Sequence, residues 1–274
     1  MIILNPTELN DRKNERTGRA VRPSRSVDAG YRNVLFDINK TLKIASENVS
    51  NAIKSGLPPR QILQIIDFEM QQSKNRTDAI AGTIAQQFVD ECDITNKERF
   101  ENMLKSALNV DFLRTLSGEN LEIARDAAKI ANVALIKSIP DQHWGKVLMA
   151  VNDNFKGTEP NLLSRIKEIG KISDNRARVI ARDQTSKING QFNQSRQMDV
   201  GITKYDWQTA EDQRVVGNPS GLYPTGSKAH RNHYERNGRT YEWAKPPADG
   251  HPGEAIQCRC RAIPRINIDE LRIL

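Results

Sequence analysis

Apolar residues recur at three- and four-residue steps through the first two thirds of the chain. Val34, Leu35, Ile38, Leu42, Ala45, Val49, Ala52 and Ile53 fall on one helix face. Gly56 with Pro58 and Pro59 supplies a stop, and a second helix starts at Pro59 with Ile62, Leu63, Ile65 and Ile66 inside. A continuation or restart near Thr77 carries Ala81, Ile84, Phe88 and Val89. Thr95 followed by Glu98 is a capping-box pattern ahead of Phe100, Met103, Leu104 and Leu108. Another helix is predicted over 119–138, stopping before Pro140, with shorter ones over 141–155 and 160–169. Ser173 is placed to cap a long helix to about Met198, with Ala177, Ile180, Ala181, Ile188 and Phe192 on one face and Gly201 closing it.

The texture then changes. Residues 203–209 are rich in β-branched and aromatic side chains, a Gly/Pro/Asn-rich loop follows over 217–226, and short strands fit 240–243 and 260–266. The expected fold class is α+β. Its expected organisation is a basic extended arm over 1–30, a helical body over 31–170, a small α+β module with a short sheet over 171–267, and a tail over 268–274.

Composition adds one constraint. Apolar residues make up 37% of the 274 positions, against about 45–50% in a compact globular domain. Part of the surface is therefore expected to be completed by a partner, which argues against a free-standing enzyme. The chain carries 41 Lys+Arg against 34 Asp+Glu, a net charge of +7. Six cations (Arg12, Lys13, Arg16, Arg19, Arg22 and Arg25) crowd the expected arm. Such a segment is either a solvated tail or one that orders against an acidic protein or a nucleic acid. The opening Met1-Ile-Ile-Leu4 is followed at once by Asn5 and Pro6, unlike a signal peptide, and no apolar run spans a bilayer. A soluble protein made inside the cell, with no membrane partner, is expected.

Candidate chemistry gathers near the C-terminus. His230, His233, His251, Cys258 and Cys260 lie within about thirty residues, and imidazole and thiolate are the ligand types zinc prefers. His233, His251, Cys258 and Cys260 form the candidate four-ligand set, with zinc as the expected cofactor. The alternative is half-buried strand cysteines beside solvated or partner-facing histidines. Asp206, Glu211 and Asp212 stand near His230 and His233, as in a metal-dependent nuclease, yet no HExxH, GxSxG or Walker motif is present. A cap or salt-bridge role is the simpler reading of that cluster, and no catalytic residue is assigned.

One long ordered string carries more weight than any of these residues alone. It runs Arg176-Ala-Arg-Val-Ile-Ala-Arg-Asp-Gln-Thr185, then Gly201-Ile-Thr-Lys-Tyr-Asp-Trp207-Gln-Thr-Ala-Glu-Asp212-Gln-Arg214-Val215, then His233, Asn237-Gly238, Pro246-Pro247, His251-Pro252 and Cys258-Arg-Cys260. Over roughly residues 165–266 this resembles the Mu F-like domain of the minor head proteins, or head morphogenesis proteins, of tailed phages. Two departures stand out: Arg182-Asp183-Gln184-Thr185 replaces an Arg-Thr-Glu-Thr pattern, and extra residues delay the histidine and separate Pro252 from Cys258. The resemblance implies a structural protein of the virion head, associated with the portal protein and with the major capsid or other head proteins. It also implies contact with packaged double-stranded DNA, without sequence preference, and a part in packaging or ejection. Arg182, Trp207, Asp212 and Arg214 become structural or interface residues, and the basic arm the DNA contact. The competing expectation is a nuclease or transferase-type enzyme on the same module.

Overall fold

The computed structural model describes residues 1–4, 14–225 and 232–273. It is α+β, with four long helices and two small antiparallel sheets. The chain divides into two units, each assembled from separate stretches. Unit 1 takes Met1–Arg25, Val89–Ala128 and Asp183–Leu274, and unit 2 takes Ser26–Phe88 and Lys129–Arg182.

Unit 2 is helical. Helix α1 (Arg25–Lys54) buries Leu35, Ile38, Leu42, Ala45 and Val49, the stripe expected from its spacing. It ends at Gly56, whose φ of +68° closes the turn before α2 (Pro59–Leu108) begins. Helices α3 (Glu119–Phe155) and α4 (Leu162–Asp199) complete the set, and their parts in unit 2 bury Ile136, Trp144, Val147, Ile166 and Ile169.

Each of the last three helices runs through a boundary expected from a local signal. Thr95 does not cap a new helix; its hydroxyl donates to Glu91 O at 2.9 Å in the middle of α2. Helix α3 passes through Pro140. Proline removes one main-chain donor, but Ile136, Ile139, Pro140, His143 and Trp144 are all buried, so packing on both sides outweighs the missing bond. Ser173 likewise sits inside α4 and donates to Ile169 O at 3.0 Å.

The expected arm over 1–30 is instead folded wherever it is described: up to Arg25 it is part of unit 1, and residues 26–30 lie in helix α1 of unit 2. Strand β1 (Ile2–Leu4) pairs antiparallel with β3 (Leu113–Thr115), and Ile2 is fully buried. Strand β2 (Glu15–Thr17) joins a four-stranded antiparallel sheet of order β2-β6-β4-β5, with β4 at Lys204–Gln208, β5 at Thr240–Glu242 and β6 at Arg261–Asn267. Val21 is held at its carbonyl by Asn189 (3.0 Å) and Asn193 (3.2 Å) of α4, and its side chain enters a core with Phe100, Leu104, Leu108, Ile202 and Ile266. That burial answers the entropy argument that favoured a tail. Gly201 ends α4 with φ +90°, and a Cβ there would lie 2.2 Å from Glu270 O, so only glycine fits.

Candidate metal centre

Three of the expected ligands meet. Cys258 and Cys260 both turn their sulfurs toward His233, and both are buried just before β6. Cys258 N donates to Ala255 O in the turn that delivers them. His233 stands at the start of a short 3-10 turn over Tyr234–Arg236. Its Nδ1 lies 3.7 Å from Cys258 Sγ and 3.5 Å from Cys260 Sγ. The three ligand atoms lie within 4.8 Å of one another.

These separations suit a metal. With zinc–sulfur near 2.3 Å and zinc–nitrogen near 2.0–2.1 Å, the sulfur-to-nitrogen edge of a tetrahedron is about 3.5–3.6 Å. The observed edges of 3.5 and 3.7 Å leave room for such an ion. The His233–Cys258–Cys260 group can therefore hold a metal.

The other side of His233 is tied down. Asp249, 5% exposed at its side chain, accepts from His233 Nε2 at 3.1 Å and forms an ion pair with Arg236, Nη2 to Oδ1 at 2.6 Å. A proton on Nε2 leaves the Nδ1 lone pair facing the two sulfurs, the tautomer a metal needs. Arg236 also lies 4.8 Å over the Trp207 ring, and that indole meets the His233 ring edge-on at 5.1 Å. Without a metal, the thiols already divide. Cys260 donates to Cys258 and, against burial, holds the Cys258 pKa well down, with His233 adding to it. The same hydrogen bond, with burial, pushes Cys260 up. Burial would lower His233, but Cys258 and Asp249 outweigh it and raise its pKa.

His251 does not join the set, contrary to expectation. Its Nδ1 bonds the Tyr205 hydroxyl at 2.8 Å, and its ring packs edge-on against Trp243 at 4.8 Å. It belongs to the aromatic wall beside the centre, where Tyr205, Trp207, Trp243 and the two cysteines share one core. Burial lowers its pKa. Among the described residues no fourth His, Cys, Asp or Glu joins the group. His230 lies outside them.

The remaining expected residues are spread around this core. Arg259 grips Asp212 through both guanidinium nitrogens, and this pairing lowers the Asp212 pKa to about 2. Arg214 donates its main-chain N–H to Asp212 at 2.9 Å while its side chain is exposed. Asn237 accepts from Thr209 N and Oγ1 at 2.9 and 3.2 Å. Arg182 is exposed on α4; its neighbour Asp183 makes the contact, accepting Gln257 N at 2.7 Å. Of the basic residues, Arg16 donates to Ala107 O at 2.7 Å, and Arg19, Arg22 and Arg25 are exposed. Arg12 and Lys13 lie outside the described residues. No helix among the described residues is long and apolar enough to cross a membrane.

Sequence reasoning missed Asp249, Arg236 and Tyr205. Asp249 sits in Pro-Pro-Ala-Asp-Gly, which reads as a turn; a buried carboxylate there has no sequence signature.

No family model matches the chain, and no solved structure matches it. Over 289 aligned residues it is 29% identical to a protein of Haemophilus influenzae strain Rd described as an uncharacterized protein. The alignment covers 98% of this chain and 60% of that protein, so the chain spans well under two thirds of its relative's length.

Proposed function

We propose that the chain is a minor head protein of a tailed phage, a structural component of the virion that docks on the portal protein and on the major capsid or other head proteins. Its C-terminal module is stapled by one Zn²⁺ held by His233 Nδ1, Cys258 Sγ and Cys260 Sγ. The observation that carries this reading is the use to which the ordered string is put. Trp207, Asp212, His233, Asn237, Cys258 and Cys260 are engaged with one another or with Arg236, Thr209 and Arg259, so they hold a fold together. Two thiolates and an imidazole in a tetrahedral edge pattern favour zinc over harder cations.

The same engagement speaks against a nuclease centred on Asp212, whose carboxylate is neutralised by Arg259. Exposed Arg19, Arg22 and Arg25 suit a salt-sensitive contact with packaged DNA. The test is cross-linking and co-purification from phage particles. The reading predicts the chain in procapsids and virions, cross-linked to portal protein; absence from both particles would sink it.

A further inference from the structure

Unit 2 holds a polar site that the metal centre does not use. A small cleft is lined by Ile139, Gln142, His143 and Lys146 of α3 and by Ser173 and Arg176 of α4. It encloses about 10 Å³, room for about one water-sized group. Arg176 Nη2 donates to Ser138 Oγ at 3.0 Å. Nη1 of the same guanidinium is buried and has no hydrogen-bond partner among the described residues. A buried charged donor without an acceptor is costly in a folded protein and marks a missing water or ion.

The charges around the cleft point to an ion of one sign. Lys146 and Arg176 have no carboxylate partner among the described residues, and Asp174 and Asp141 are occupied by Lys43 (2.6 Å) and Lys74 (2.8 Å). His143 is buried, with Nε2 2.7 Å from Ser46 Oγ and Nδ1 3.1 Å from Ser173 Oγ. Burial, then Lys146 and Lys43, push its pKa down to about 4. The Ser173 hydroxyl proton is held by Ile169 O, which leaves a guanidinium, an ammonium and an amide with no carboxylate among them, the donors that receive an oxyanion.

We propose that this cleft binds a phosphate group, with Arg176 Nη1 and Lys146 Nζ as charged donors and the Gln142 amide as a neutral one. One phosphoryl oxygen fills the interior and the rest of the group stays at the mouth. Free inorganic phosphate and a phosphate monoester present the same chemistry there. The proposal is independent of the zinc and of the virion reading.

Calorimetric titration of the full chain at low ionic strength tests it, first with sodium phosphate and then with adenosine monophosphate. The expected result is saturable one-to-one binding, weakened about 10-fold or more by Arg176→Gln. Lys146→Met weakens it several-fold, while Lys54→Gln, which removes an equal charge at the end of α1, leaves it unchanged. Tighter binding of the monophosphate assigns the site to an ester, and equal binding to the free ion. Phosphate also raises the His143 pKa, a readout that a merely structural arginine leaves unmoved. Lys146 is exposed, so its variant decides the matter if the Arg176 variant fails to fold. No saturable binding at tens of millimolar phosphate, or undiminished binding by either folded cleft variant, overturns the proposal.

Discussion

Acidification strikes unit 2 at one identifiable group. His143 is 1% exposed, wedged between Ser46 of α1 and Ser173 of α4, and its pKa is pushed down to about 4 by burial and by Lys146 and Lys43. In the unfolded chain an imidazole titrates near 6.5. Between those values the unfolded chain binds the proton and the folded one does not. The stability contributed by neutral His143 is therefore complete above about pH 6.5 and falls away as the pH drops toward 4. One proton and a gap of about 2.5 units give a loss of about 2.5 kcal/mol by about pH 4.5. Urea unfolding at a series of pH values measures it, with His143→Gln as the reference, because carboxylates and the metal centre titrate alike in both proteins. The wild type is expected to lose more stability than the variant, with the difference growing below pH 6. An imidazole resonance of His143 titrating at 6 or above, or parallel stability curves, would refute the reasoning.

Three further outcomes follow from the geometry of unit 1. Asp249→Asn keeps the side-chain volume but loses the charge that orients His233, and is expected to weaken metal binding about 10- to 100-fold in competition with a chromophoric chelator. Gly201→Ala forces a Cβ into Glu270 O at a left-handed φ, and is expected to cost about 2 kcal/mol or more in thermal or urea unfolding. Asp93→Ala strips the partner from Arg196, 3% exposed at its side chain, and is expected to cost about 3 kcal/mol, with Arg196→Leu in the same background recovering part of the loss.

Helix periodicity was legible where burial is one-sided. The α1 stripe is buried as spaced, apart from Val34 and Ile53 at its margin. Local cap and stop signals misled where the helices run on: Thr95 and Ser173 satisfy their hydroxyls on preceding carbonyls instead of capping, and Pro140 is carried by buried neighbours. The basic N-terminal stretch read as an extended arm because its anchors, Ile2 and Val21, find their partners far along the chain. At the metal centre the residue types narrowed the choice to a few histidines and two cysteines. The choice between His233 and His251 rests on loop geometry, since both are buried histidines of the same chemistry. One faces two thiols and a carboxylate, the other a tyrosine hydroxyl.

Native mass spectrometry of the purified full chain, repeated after exchange into cobalt, tests the zinc-stapled module most directly. The expected result is one zinc per chain. The cobalt form should show thiolate charge-transfer bands with tetrahedral d–d absorption, and Cys258→Ser should lose both. A folded, metal-free protein whose stability is untouched by Cys258→Ser would contradict it.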